Sequence, residues 1–122
     1  MHALKKALVV DDNDGIRRLL NEVLTLEGYL VDTASNGLQA LARIRECIPS
    51  VVLLDLKMPG MGGLEVLSEI ANSYPRIPVI LITAYSDQKD VKVALENGLI
   101  EHYISKPFSL TDLIELLHSL NI

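Results

Sequence analysis

The stretch from Val51 to Gly63 reads Val-Val-Leu-Leu-Asp-Leu-Lys-Met-Pro-Gly-Met-Gly-Gly. Four apolar residues in a row, two of them β-branched, are typical of a strand that is buried on both faces, and the proline and glycines that follow cannot continue it. Asp55 is therefore predicted at the carboxyl end of a strand. Ligands bind at that edge of an open α/β sheet, so the carboxylate is placed for chemistry. An aspartate that caps a turn is the alternative, and Asp55 alone does not exclude it.

Composition limits the class of protein before any further motif does. The chain has 122 residues, 49% of them hydrophobic, so it can bury a core without disulfides, and we expect one domain over residues 1–122. Its formal net charge of −5 argues against direct binding to nucleic acid or an anionic membrane and favours binding of cations. No apolar run has the length of a signal-peptide core or a membrane span, so a cytoplasmic protein is expected. The single cysteine, Cys47, is interpreted as a small packing residue.

Short apolar runs alternate with amphipathic stretches along the chain. Strands are predicted at residues 7–10, 29–34, 51–55, 79–82 and 102–104, the second of them near an edge because its pattern alternates. A helical stripe of apolar residues follows each strand, and Ser86-Asp87 and Ser109 are predicted to begin the last two helices. This alternation predicts an α/β fold with a parallel sheet covered on both faces. For five strands the most economical arrangement is the flavodoxin-like (βα)5 doubly wound sheet with strand order 2-1-3-4-5.

Three carboxylates meet in that arrangement. The switch point lies between strands one and three, so Asp11 and Asp12, which follow the first strand, share a crevice with Asp55. They repel one another at neutral pH unless a cation lies among them. Hard oxygen ligands without histidine or cysteine favour Mg²⁺ over zinc.

Two further strand ends add polar groups to the same edge. Thr83 ends the fourth strand and brings a hydroxyl and the Ala84 backbone N–H, while Lys106 follows the fifth strand. Each of these residues also has an ordinary interpretation when it is taken alone. Thr83 would be a β-branched strand residue, Lys106 a solvated surface lysine, and the acidic pair a helix N-cap. Their joint placement at four strand ends favours a functional site.

This combination resembles the receiver domain of the two-component response regulators, over residues 4 to 120. The residues that carry the resemblance are Asp11-Asp12, Asp55 with Met58-Pro59-Gly60, Thr83-Ala84, Tyr103 and Lys106-Pro107-Phe108. A closer likeness, to single-domain phosphorelay members of the family, lies in residues 15–23, 27–29, 36–41, Lys57 and Thr83-Ala84-Tyr85.

The resemblance implies a chemistry for these residues. Asp55 would accept a phosphoryl group from the phosphohistidine of a sensor histidine kinase or a histidine phosphotransferase. The implied Mg²⁺ ligands are Asp12 and Asp55 directly, Asp11 through water, and the backbone carbonyl of Lys57. The protein would catalyse its own aspartyl phosphorylation and dephosphorylation, without turnover of a small-molecule substrate.

The resemblance also assigns the groups that surround the phosphoryl group. Lys106 would offset its charge while Thr83 and the Ala84 N–H hold its oxygens. Thr83 and Tyr103 would form the switch pair that reports phosphorylation, and a cis peptide would precede Pro107. One departure is Gly62, where an aspartate usually caps the third helix, so that cap is lost.

A partner-facing rim is predicted beside the crevice. Ile16 is apolar and lies one turn from the acidic pair, which suggests docking; the alternative is that it belongs to the core. With Ile16 at the centre, the predicted partner-facing residues are Gly15, Ile16, Leu19, Tyr85, Pro107 and Phe108. A monomer or a phosphorylation-dependent dimer is expected.

Two other functions are weighed against a stand-alone relay protein. The chain would also suit the N-terminal receiver domain of a larger transcriptional regulator of the enhancer-binding type. A Mg²⁺-dependent aspartyl phosphatase of the haloacid-dehalogenase type is less favoured, because such enzymes place a second aspartate two residues after the first and here that position is Lys57.

Overall fold

Strands and helices alternate throughout the computed structural model of the protein, which describes residues 5–58, 60–84 and 87–120. In chain order the elements are β1 (Lys6–Val10), α1 (Asp14–Leu26), β2 (Leu30–Ala34), α2 (Gly37–Glu46), β3 (Val51–Asp55), α3 (Gly63–Ser73), β4 (Val79–Thr83), α4 (Gln88–Glu96), β5 (His102–Ser105) and α5 (Leu110–Ser119). The predictions that involve Pro59, Tyr85 and Ser86 lie outside the described residues.

The strands form one parallel sheet in the order β2-β1-β3-β4-β5, as predicted. Val10 of β1 pairs with Leu54 of β3, so Asp11 and Asp55 continue neighbouring strands at the same level. On the other side, Asp55 pairs with Ile82, which puts Thr83 one residue further along β4. The register therefore brings the predicted site residues to one edge of the sheet.

The central strand is buried on both faces, as its composition predicted. Alternate residues of β3 enter two separate core clusters, with Val52 and Leu54 on one face and Val51 and Leu53 on the other. Helices α2, α3 and α4 contribute to the first cluster, and α1 and α5 to the second. Because this strand is enclosed by packed side chains, it holds Asp55 at its end on a rigid support.

The helix starts explain why the acidic pair is free for other contacts. Asn13 caps α1 by accepting a hydrogen bond from the Ile16 N–H at 2.9 Å, so the alternative that Asp11 and Asp12 serve as the N-cap is wrong. Ser109 caps α5, as predicted. Gly62 precedes α3 without a side-chain cap, which agrees with the loss of the usual aspartate.

One sequence interpretation is wrong, and one predicted helix start is confirmed with an unexpected side-chain direction. Cys47 is exposed at the end of α2, because the chain leaves the helix there with its side chain outside the core, and it is not a packing residue. Asp87 occupies the N-cap position of α4, yet its side chain makes no capping hydrogen bond and turns instead towards the end of β4.

The Lys106–Pro107 peptide bond is cis, as the resemblance implied. None of the helices among the described residues is long and apolar enough to cross a bilayer.

Candidate functional site

Three carboxylates converge at the carboxyl edge of the sheet. Oxygens of Asp11, Asp12 and Asp55 all lie within 4.8 Å of one another. Asp11 and Asp55 are almost fully buried, whereas Asp12 is exposed at the mouth of the crevice. The Asn13 N–H donates to Asp11 Oδ1 at 2.9 Å, and Arg17 donates to the Asp11 carbonyl oxygen at 2.6 Å. The loop after β1 is therefore fixed around the acidic group.

Lys106 reaches into this crevice from the end of β5. Its Nζ lies 3.5 Å from Asp11 Oδ2 and 3.6 Å from Asp55 Oδ1. Its backbone N–H donates to the Thr83 carbonyl at 2.7 Å, which anchors the residue to β4. One ammonium group cannot balance three carboxylates, so the crevice keeps an excess of negative charge.

That excess changes the proton affinity of Asp55. The pKa of the Asp55 carboxyl is raised from 3.8 to about 6. Burial is the largest cause, and the Asp11 charge and, to a smaller extent, Asp12 add to the rise, while Lys106 and the Lys57 backbone N–H lower the pKa. A perturbed carboxyl group in a crevice is typical of a functional site. A nearby cation would favour the ionised form of this carboxyl group.

Thr83 and Tyr103 line one groove beside the crevice. The groove has a volume of about 360 Å³, and its walls are Thr83, Ala84, Gln88, Val91, Lys92, Leu95, Tyr103, Ser105 and Lys106. Thr83 is buried at its inner end, whereas Tyr103 is 47% exposed. The predicted switch pair thus shares a surface with Lys106. A larger cavity of about 590 Å³, whose walls include Ile70, Val79 and Ile100, contains none of the three carboxylates.

Asp87 is a site residue that the sequence reasoning missed. Its carboxylate is buried, and Oδ2 accepts a hydrogen bond from the Ala84 N–H at 2.8 Å. Its other oxygen, Oδ1, lies 3.2 Å from Lys57 Nζ. The Asp-Gln-Lys sequence at this point has the appearance of an ordinary helix start, and no local pattern distinguishes the two roles.

Apart from Tyr85, which is outside the described residues, the predicted partner-facing residues belong to α1 or to the segment between β5 and α5. Ile16 and Phe108 are partly buried and pack against the same core cluster. Gly15, Leu19 and Pro107 are exposed. The partly exposed position of Ile16 agrees with both a docking residue and a residue at the margin of the core, so the rim stays a prediction.

Comparison with known proteins gives consistent matches. The family model for the response regulator receiver domain matches residues 7–118. Sporulation initiation phosphotransferase F from Bacillus subtilis is 43% identical over 109 residues, which cover 89% of this chain and 87% of that protein. Regulatory protein AtoC from Escherichia coli is 40% identical over 113 residues, which cover 93% of this chain and 24% of AtoC. The chain therefore spans about a quarter of AtoC.

A solved structure is similar over almost its whole length. Response regulator protein TrrA from Thermotoga maritima, in complex with Mg²⁺ and BeF, has a TM-score of 0.85 and 40% sequence identity, and the match covers 96% of this chain and 99% of that one. The family model spans every strand end that forms the crevice, from Asp11 to Lys106. This chain therefore belongs to the response regulator receiver domain family and is homologous to proteins that include the Bacillus phosphotransferase and AtoC.

Proposed function

We propose that Asp55 accepts a phosphoryl group from a phosphohistidine in a Mg²⁺-dependent reaction. The observation that carries this proposal is the convergence of three carboxylates and one lysine, with Asp55 Oδ1 3.6 Å from Lys106 Nζ. In the transfer, an Asp55 oxygen forms a bond to phosphorus as the bond from phosphorus to the histidine nitrogen breaks, and the electron pair leaves with the nitrogen.

The acidic cluster has the donor set that a magnesium ion requires. Carboxylate oxygens within 4.8 Å of one another fit a hard divalent cation, and the imidazole and thiolate ligands that favour zinc are absent from this cluster. Asp12 and Asp55 would bind the ion directly, Asp11 through water, and the Lys57 carbonyl would add a ligand. When bound, Mg²⁺ offsets the repulsion between the Asp55 carboxylate and an anionic phosphoryl group.

The chain's own groups then hold the transferred phosphoryl group. Lys106 supplies a positive charge beside Asp55, while the Thr83 hydroxyl and the Ala84 N–H donate to the phosphoryl oxygens. Thr83 would turn towards the new oxygens, and Tyr103 could then occupy the space that Thr83 leaves in the shared groove. Catalysis in this proposal is positioning and charge stabilisation.

The test of the phosphoacceptor uses a small donor. With Mg²⁺ and acetyl phosphate, the protein should acquire one phosphoryl group that hydroxylamine removes, and Asp55→Asn should abolish it. Asp32→Asn is the matched control, because Asp32 lies in β2 and pairs with Lys6 and Arg43, away from the crevice. An undiminished label in Asp55→Asn would refute the assignment.

The proposed partner is a sensor histidine kinase or a histidine phosphotransferase in the cytoplasm, with no direct contact to nucleic acid or membrane. Ile16 belongs to the first turn of α1, whose N-cap Asn13 directly follows the acidic pair, so a partner that docks on Ile16 would lie beside the crevice. Ile16→Ala should slow phosphotransfer from a phosphohistidine protein and leave acetyl phosphate labelling and melting temperature almost unchanged. Equal slowing with both donors, or a loss of several kcal/mol of stability, would reject the docking role.

The larger biological role has two candidates. The 43% identity to the Bacillus phosphotransferase supports a relay protein that passes the phosphoryl group to a second histidine. The 40% identity to the matching part of AtoC supports a receiver domain within a longer regulator. The gene sequence after the codon for Ile122 and a phosphotransfer assay onto a histidine phosphotransferase distinguish them. Either role is compatible with a monomer or a phosphorylation-dependent dimer.

A further inference from the structure

The Ala84 N–H is already in use in this structure. It follows Thr83 at the end of β4 and donates to Asp87 Oδ2 at 2.8 Å, a good distance for a hydrogen bond to a carboxylate. An amide N–H has one proton and cannot make a strong, linear hydrogen bond to two acceptors at once. A phosphoryl oxygen that binds this amide must therefore displace the Asp87 carboxylate.

Asp87 is held by few contacts for a buried charge. The residue is 2% exposed, and its Oδ1 accepts no hydrogen bond from any described residue. Lys57 Nζ lies 3.2 Å from that oxygen but outside hydrogen-bonding geometry, and the Lys57 side chain is 63% exposed, so this contact is an ion pair screened by water. Burial of a carboxylate with an unsatisfied oxygen is unfavourable. Within residues 5–58, 60–84 and 87–120, the Ala84 amide is thus the group that donates a hydrogen bond to the Asp87 side chain.

We propose that Asp87 is an internal competitor for the phosphoryl group, occupying the Ala84 amide until the phosphoryl group displaces it. The inference rests on the proposed function, since it assumes that a phosphoryl group on Asp55 uses this amide. Asp87 acts through Ala84 and is a positioning residue for the resting state. Its presence lowers the affinity of the crevice for a phosphoryl group and so opposes phosphorylation.

The displacement also has a structural consequence. Asp87 precedes the first turn of α4, and Lys57 belongs to the loop that follows Asp55. The Lys57–Asp87 pair therefore links the loop after β3 to the start of α4. When the carboxylate leaves the amide, this link is freed together with the first turn of the helix, which forms one wall of the groove that contains Tyr103.

The experiment measures binding of Mg²⁺ and beryllofluoride, a phosphoryl mimic, to the full chain by titration calorimetry. Asp87→Ala removes the competitor and should tighten binding on the order of tenfold, which corresponds to one hydrogen bond to a charged group. Asp87→Asn keeps the volume and a weaker, neutral acceptor and should tighten binding by less. Asp90→Ala is the matched control: it removes a carboxylate from the first turn of α4 and should bind like the wild type.

A second readout follows the amide itself. The Ala84 amide proton should resonate upfield in both Asp87 variants before any ligand is added, and should not move in Asp90→Ala. If Asp87→Ala does not fold, Asp87→Asn carries the comparison. Equal or weaker beryllofluoride binding in the folded Asp87 variants overturns the competitor role while the proposed function stands. A wild type that binds no beryllofluoride with Mg²⁺ overturns the proposed function, and the inference with it.

Discussion

Asp55→Asn should stabilise the metal-free protein, although it removes the residue on which the site depends. Burial and Asp11 raise the pKa of Asp55 from 3.8 to about 6, so ionised Asp55 is less stable in the folded chain than in the unfolded chain. That difference of about two pKa units corresponds to about 3 kcal/mol at neutral pH. Water reaches the crevice beside the exposed Asp12, so we reduce the expected gain to about 1–2 kcal/mol. For a domain of this size the melting temperature should rise by roughly 4–8 °C.

The pH dependence identifies the origin of this gain. Between pH 3.8 and about 6 the folded chain binds more protons at Asp55 than the unfolded chain does. The free energy of unfolding of the wild type therefore falls as pH rises through this window, and Asp55→Asn lacks that decrease. The free energy of unfolding of Asp55→Asn should exceed that of the wild type only slightly near pH 4, and the excess should reach its full value above about pH 7.

Urea unfolding in EDTA at several pH values measures this difference in the free energy of unfolding. Asp32→Asn is the control: Asp32 pairs with Lys6 and Arg43, so neutralising it should not stabilise the protein. A gain in Asp55→Asn that is the same at pH 4 and pH 7.5 would show that relief of charge is not its cause. No gain at pH 7.5 would show that Lys106 already balances the buried carboxylate.

Three further variants test separate parts of the site. Asp12→Ala should raise the melting temperature without metal and lose most of the stabilisation by Mg²⁺; an unchanged response to Mg²⁺ would remove Asp12 from the ligand set. Lys57→Asn should shorten the lifetime of the aspartyl phosphate a few-fold, because the long lysine side chain beside the crevice hinders the water that attacks phosphorus. The lifetime is measured from the phosphate that stays on the protein after the donor is removed. A second shielding side chain, predicted at Tyr85, lies outside the described residues. Gly63→Ala should destabilise the fold by more than about 2 kcal/mol, because a Cβ there would lie 2.6 Å from Leu56 Cα. If the variant unfolded at the same urea concentration as the wild type, this packing would be contradicted.

The fold was predictable from sequence because apolar patterning and sheet geometry agree. The apolar run of Val51–Asp55 was typical of a fully buried strand, and the alternating pattern of the second strand matched its place at the edge as β2. Once the strand order is known, the positions of Asp11, Asp55, Thr83 and Lys106 follow, because parallel strands end at one edge. Most of the candidate site was therefore a consequence of topology.

The remainder depended on side-chain directions, which a pattern along the chain does not contain. Asp87 has the sequence context of a helix cap, and only the position of the Ala84 amide decides that it turns the other way. Cys47 was misplaced for a similar reason, since one residue at a helix end can face either side. The N-cap of α1 is Asn13, whereas the ordinary interpretation of the sequence gave that role to the neighbouring pair Asp11-Asp12.

The resting site combines a rigid support with unfavourable contacts, and this combination explains how a small chemical change can act on it. The packed strands β1 and β3 hold Asp11 and Asp55 close together, so their repulsion cannot relax by backbone movement. The Asp87 carboxylate is likewise buried, and its Oδ1 accepts no hydrogen bond within the part of the chain that the structure describes. In the proposed function, a cation relieves the repulsion between Asp11 and Asp55, and a phosphoryl group replaces Asp87 at the Ala84 amide. Free energy stored in these contacts then favours rearrangement of the loops after β3 and β4, the parts of the site that the core does not fix.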